Sequence, residues 1–245
     1  MTKPLPPPLP PDERTVGQLV AESMRLYGKR FWASLALGLS VAVLFQFLGS
    51  RPSFVWVLVL WAGAPFLTLS YIRAVVIASG ATVTRRSLLV ALVGGTIALL
   101  PAAVLLRIYV LPGIAWLAFV GQVVPVAIIE QRGLRESFAR ATRLARADFV
   151  HALGSLATLT IVFALTAGVL GLLLQGQADS AARVAAFVAD LVISPLLFLG
   201  AALLYFDQAA RVVDSVPRDK RRLDAGLHPA VDAHGSGRPD AEVEP

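Results

Sequence analysis

The sequence contains no cysteine. That removes a disulfide framework, a thiolate metal site and a thiol nucleophile at one stroke. Only three histidines are present, too few for a histidine-rich metal centre. Charge is scarce as well: 16% of the 245 residues are Asp, Glu, Lys or Arg, against roughly a quarter in an average soluble protein. What fills the chain is apolar, with 56% hydrophobic residues and a mean hydropathy of +0.70. A soluble domain of this size has no interior large enough to hide so much apolar surface, so a bilayer is the natural solvent. A Walker motif, a dinucleotide-binding glycine fingerprint, a GxSxG elbow and an HExxH pair are also missing.

The charges are absent in blocks. A helix crosses a hydrocarbon core of about 30 Å with about 20 apolar residues. Runs of that kind predict spans near 31–50, 53–73, 87–106, 108–129, 152–174 and 184–206. The second run is able to continue past Arg73 to Ser79. Helices rather than strands are expected, because stretches such as Ala164–Leu174 are apolar on every face, and a lone strand in lipid leaves its backbone unpaired. The first run is too long, and starts too far into the chain, for a cleaved signal peptide.

Lysine and arginine set the orientation. Lys3, Arg14, Arg25, Lys29 and Arg30 precede the first span, and Arg73, Arg85 and Arg86 follow the second. Arg132, Arg135, Arg140, Arg143 and Arg146 follow the fourth, and Arg211, Arg218, Lys220, Arg221, Arg222 and Arg238 follow the sixth. Only Arg51, Arg107 and Arg183 remain, out of 22, for the other side. The positive-inside rule then places both termini in the cytoplasm. The net charge of +6 is a product of this bias and calls for no nucleic acid.

Two segments outside the spans are amphipathic. In 15–30, Val16, Leu19, Val20, Met24 and Tyr27 form one stripe, and Gln18, Glu22, Arg25 and Lys29 oppose it. Thr15 and Gln18 have the spacing of a capping box. In 132–149, Leu134, Phe138, Ala141, Ala145 and Phe149 share a face opposite Arg132, Arg135, Arg143 and Arg146. Both are expected as cytoplasmic-side interfacial helices, apolar face toward lipid or other helices. Arg25, Lys29, Arg30, Arg135, Arg143 and Arg146 are the expected contacts to anionic lipid. An offset of 118 aligns Ala21, Arg25, Leu26, Phe31 and Leu35 with Ala139, Arg143, Leu144, Phe149 and Leu153. Internal duplication and coincidence in Ala- and Leu-rich helices both account for these identities.

Polar residues within spans are the natural candidates for function. Apart from Arg73 at the end of the second, Asp190 is the one charge inside the predicted spans, with Ser194 and Pro195 one turn further on. One reading is an ion or substrate contact in a cavity; the other is an acid in the outer interface near Arg183. Gln46 and Gln122 are weaker candidates, since interhelical hydrogen bonding also explains them. Pro101, Pro112 and Pro125 are expected to kink or end helices. Residues 1–13, with six prolines in the first 11, and residues 212–245 are expected to be disordered tails. His228, Asp232 and His234 lie in the second tail and are not read as a metal site. No cofactor is expected, and the sequence carries no signal of oligomeric state.

Three pieces of sequence resemble a known bacterial family. They are Arg14-Thr-Val-Gly-Gln-Leu with Arg25-Leu-Tyr and Phe31-Trp32; Val124-Pro-Val-Ala-Ile-Ile-Glu130 with Gly133-Leu, Ser137, Arg143-Leu and Phe149; and Leu204-Tyr-Phe-Asp207 through Arg211. Over residues 14–211 the chain resembles the membrane domain fused to some glycerophosphoryl diester phosphodiesterases, which also occurs alone. The resemblance implies a multi-helix membrane domain of a bacterial plasma membrane. It does not carry over hydrolysis, because the soluble barrel with its acidic and histidine motifs is missing from this sequence. The expectation is an all-α polytopic protein, with a 14–211 membrane domain and no catalytic machinery. It would be a lipid-interacting or partner-organising module; the alternative is a small transporter with Asp190 in a polar cavity.

Overall fold

The computed structural model describes residue 11 and residues 14–48, 52–176 and 178–227; side chains are described as far as Val212, apart from Ser53. The described residues form nine helices and no strand. They are α1 (Val16–Lys29), α2 (Phe31–Leu48), α3 (Ser53–Ser79), α4 (Arg85–Ile108), α5 (Val110–Val120), α6 (Val123–Ile129), α7 (Leu134–Ala147), α8 (Phe149–Leu173) and α9 (Asp179–Leu227). Six stretches are long and apolar enough to cross a membrane: α2, α3, α4, α5 with α6, α8, and α9 as far as Val212. The chain is an all-α polytopic membrane protein.

Local chemistry explains the breaks. Thr15 caps α1: the Gln18 amide N–H donates to its hydroxyl at 3.4 Å, and Gln18 Oε1 accepts from the Thr15 N–H at 2.8 Å. The fourth span is two helices. Pro125 has no N–H to continue the ladder, so it sits in the first turn of α6, where that N–H would be unused anyway. Pro112 takes the same position in α5, whereas Pro101 lies inside α4. Gln131, between α6 and α7, is left-handed at φ 55°. Its side chain holds that turn by donating to the carbonyls of Thr82 (3.1 Å) and Ile128 (3.3 Å) and accepting from the Thr84 hydroxyl (2.9 Å).

Helix α9 is the spine. It packs against α2, α3 and α8 along the bundle and against α1 and α7 at one end. The core joins Leu37, Ile72, Val75, Val124, Ile128 and Leu199 across α2, α3, α6 and α9. At Gly38, α2 meets α9 backbone to backbone: an added Cβ would lie 2.1 Å from the Leu191 carbonyl oxygen. The second half of α8 is less covered, and every residue over 164–169 is exposed.

The offset of 118 maps α1 onto α7 end for end and the start of α2 onto the start of α8. It also carries the buried Ser34, Leu37 and Val41 of α2 onto Ala152, Ser155 and Leu159, which are the buried residues of α8. The partners differ, however: α1 rests on α8 and α9, whereas α7 rests on α4, α5, α6 and α9.

Two expectations are corrected. Chain beyond 211 was expected to be unstructured, yet α9 continues to Leu227. An established helix adds each further residue without a new nucleation cost. The sixth span is longer than 184–206 and also holds Asp207 and Arg211, so Asp190 is not its sole charge. The Pro-rich segment 1–13, apart from residue 11, and residues 228–245 with His228, Asp232 and His234 lie outside the described residues.

Candidate functional site

At the end of the bundle where α1 and α7 dock, α9 presents Asp207 and Arg211 one turn apart. Asp207 is 0% exposed and accepts from Arg14 Nη1 at 2.8 Å. Arg211 Nη1 pairs with Asp148 Oδ2, and its Nη2 donates to the Arg14 carbonyl at 3.0 Å. Asp148 also caps α8, its Oδ1 accepting from the His151 N–H at 3.0 Å, and its carbonyl accepts from Gln208 Nε2 at 3.1 Å. Arg211 is a donor only, so its 3.4 Å contact makes His151 Nδ1 the acceptor. On the other side of the ring, Nε2 lies 3.6 Å from Asp207 Oδ2. One short stretch of α9 thereby ties the start of α1 to the α7–α8 joint.

A second cluster lies beside it. Glu130, just past the fourth span, accepts from Arg132 Nε (2.5 Å), Arg140 Nε (3.1 Å) and the Tyr205 hydroxyl (3.0 Å). Burial pushes the Glu130 carboxyl up, but the hydrogen bonds from Arg140, Arg132 and Tyr205 outweigh it and hold the group below its ordinary value. Arg14, Glu130, Tyr205, Asp207 and Arg211, which carry the sequence resemblance, all belong to these two clusters. The sequence reading counted their arginines as topology charges and passed over Asp148. The available signal was the Asp207–Arg211 spacing, four residues on one helix face, together with acids placed on both sides of α7.

The six cations expected to meet lipid form a different set. Arg25, Lys29 and Arg30 on and beside α1, and Arg135, Arg143 and Arg146 on α7, all have exposed side chains. Their internal contacts are slight: Arg25 lies 3.7 Å from Glu22, Arg143 donates to the Ala139 carbonyl at 3.3 Å, and Arg146 sits 5.9 Å over the Phe119 ring. The apolar stripes beneath them face protein. Leu19 and Leu144 are fully buried, with Leu19 packed against Ala152, Leu159 and Leu204. The stripe of α1 is rotated from the expected one: Ser23 is buried, returning its hydroxyl to the Leu19 carbonyl at 2.7 Å, while Met24 is 49% exposed.

The three intramembrane polar candidates do not converge on one site. Gln122 is 2% exposed at the α5–α6 break, and its Oε1 has no partner among the described residues. Asp190 and Gln46, by contrast, both line an open cleft of about 1030 Å³ between α2, α8 and the first half of α9. Gln46 Nε2 donates to the Arg183 carbonyl at 3.2 Å, near the mouth, which also carries Asp179. Asp190 lies seven residues further along α9, about 10 Å deeper by helical rise. Its carboxylate is half-buried and has no hydrogen bond or ion pair among the described residues. Ser194, its neighbour one turn on, donates its hydroxyl to the Asp190 carbonyl at 2.6 Å and is spent on the backbone. Among the described residues no three His, Cys, Asp or Glu side chains gather as metal ligands.

No family model, curated protein or solved structure matches this chain.

Proposed function

We propose that this chain is a non-enzymatic membrane module of a bacterial plasma membrane, with both termini cytoplasmic, which engages anionic lipid and holds a partner protein at the bilayer. The observation that carries the reading is the division of labour among the cations at one end. Arg14, Arg132, Arg140 and Arg211 are spent on acids, while Arg25, Lys29, Arg30, Arg135, Arg143 and Arg146 are exposed on two helices docked side-on to the bundle. Cations presented in this way attract anionic headgroups by about 1 kcal/mol each. The inside-positive charge bias supports the orientation. The resemblance to the stand-alone form of the phosphodiesterase-associated membrane domain supports the family, and the gathering of its motif residues in two neighbouring clusters favours a shared fold.

Native mass spectrometry of the full chain from nanodiscs of mixed zwitterionic and anionic lipid tests this reading. Anionic lipid should be retained preferentially. Substituting Arg25, Lys29 and Arg30 together with alanine, or Arg135, Arg143 and Arg146 together, should weaken that retention by about 100-fold at low salt, from about 1 kcal/mol per charge. Equal retention of both lipid types, with no protein partner recovered, would overturn it. The cleft favours a second reading, a small transporter with Asp190 and Gln46 contacting its cargo. Flux across proteoliposomes that is unchanged by Asp190→Asn would remove that reading.

A further inference from the structure

We infer that the cleft between α2, α8 and α9 binds an ammonium group carried on an apolar body, the nitrogen on Asp190 and the body along Phe45, Phe163, Leu170 and Ile193. The inference rests on reading the cleft as a ligand site and adds the chemistry of the ligand. A carboxylate within an apolar span is costly unless a positive charge or hydrogen bonds compensate it. Asp190 has neither among the described residues, yet its side chain faces open space rather than packed protein. A ligand cation supplies what the fold leaves out.

The rest of the wall selects the kind of cation. The Phe45 and Phe163 rings stand 6.2 Å apart where α2 and α8 approach, and aromatic faces attract ammonium groups. Gln46 has committed an N–H to the Arg183 carbonyl, which leaves its Oε1 as an acceptor. At the mouth Arg183 and Asp179 offset each other, so among the described residues Asp190 sets the net negative charge of the lining. An anionic amphiphile placing its head on Arg183 would meet two acids. A bare metal ion finds too few oxygen ligands, and the cleft of about 1030 Å³ is far larger than an ion. It lies at the upper end of small-molecule sites, roughly 300–1000 Å³. Ala186, Ala189 and Gly171 keep the walls low, which makes room for a chain rather than a headgroup alone. The same chemistry is available from an ethanolamine-type lipid of the bilayer or from a free amphiphilic amine.

The test uses the full chain in nanodiscs of phosphatidylcholine, where there is no compartment to transport into. Dodecylammonium is titrated and binding is read by tryptophan fluorescence, with laurate as the anionic comparator. Saturable binding of dodecylammonium, not displaced by laurate, is expected. Asp190→Asn should weaken it about tenfold or more, from the loss of a charged hydrogen bond, while Asp190→Glu retains most of it. Ala186→Phe leaves the acid in place and puts a ring into the cleft on the helix turn before it, so it should also weaken binding; it carries the test if Asp190→Asn does not fold. Variants that bind as the wild type does, or displacement by laurate as effective as by a second amine, overturn the assignment. Doping the discs with phosphatidylethanolamine separates the sources: competition identifies the lipid as occupant, and its absence identifies the free amine. Absence of dodecylammonium binding defeats this site whatever the flux assay returns, whereas binding without Asp190-dependent flux defeats the transport reading alone.

Discussion

Replacing Asp207 with leucine puts the polar end of the bundle under the sharpest strain. The carboxylate is 0% exposed and its Arg14 partner is 10% exposed, 2.8 Å away. At an effective dielectric of about 20, unit charges about 4 Å apart attract by about 4 kcal/mol. Asp207→Leu removes that attraction and strands a guanidinium where little water reaches, a change that typically costs about 3–5 kcal/mol. The loss spreads, because Arg211 holds the Arg14 carbonyl and also pairs with Asp148. Adding Arg14→Met removes both charges together. The double variant should return to within about 1 kcal/mol of the wild type, since apolar replacement of a whole buried pair is often neutral or better. Equilibrium unfolding of the full chain in mild detergent, followed by helical signal, measures all four corners of the cycle. The reasoning fails if Asp207→Leu costs less than about 1 kcal/mol, or if the double variant is as unstable as the two single losses added together.

The remaining expectations concern the neighbouring cluster and the helix crossing. Glu130 is held below its ordinary value of 4.5, so the stability it contributes is complete above that value and is lost as pH falls through the lower folded one. The melting temperature of the wild type should therefore drop in acid below pH 4.5, and Glu130→Gln should flatten that part of the profile; equal slopes would refute the role. Gly38→Ala should destabilise by about 1–3 kcal/mol despite alanine's better helix propensity, because the new methyl meets the Leu191 backbone and no side chain can swing aside. Gly17→Ala is the control: nothing lies within 4 Å of its added Cβ, and a gain of about 0.5–1 kcal/mol is expected in the same melt.

The spans were legible because they depend on local composition. Apolar runs and capping signals such as Thr15 with Gln18 are written in consecutive residues, and α2, α4 and α8 follow them within a few positions. The split of the fourth span was half legible: Pro125 marked the place, but a proline kinks a helix or begins one according to its neighbours. What local pattern does not hold is which side of a helix meets which partner. The stripe of α1 could be placed to within one position, and that one position decides whether Met24 or Ser23 is buried. Asp190 and Gln46 are 144 residues apart in sequence, and only the crossing at Gly38 brings α2 and α9 close enough to set them in one cleft.

The arginines make the same point in terms of energy. Counted by loop, they report orientation, and every Lys and Arg contributes alike. Resolved in space, Arg14, Arg132, Arg140 and Arg211 are tied to Glu130, Asp148 or Asp207, whereas Arg25, Lys29, Arg30, Arg135, Arg143 and Arg146 are left exposed. Orientation and stability are thereby separable in this chain. Asp207→Leu keeps every positive charge where it was, so the insertion rule predicts the same topology, because acids contribute little to it. The fold nevertheless loses the ion pair that joins Arg14, at the start of α1, to α9. A variant that inserts the same way round yet unfolds more easily is the expected consequence of charges that act once by sign and again by partner.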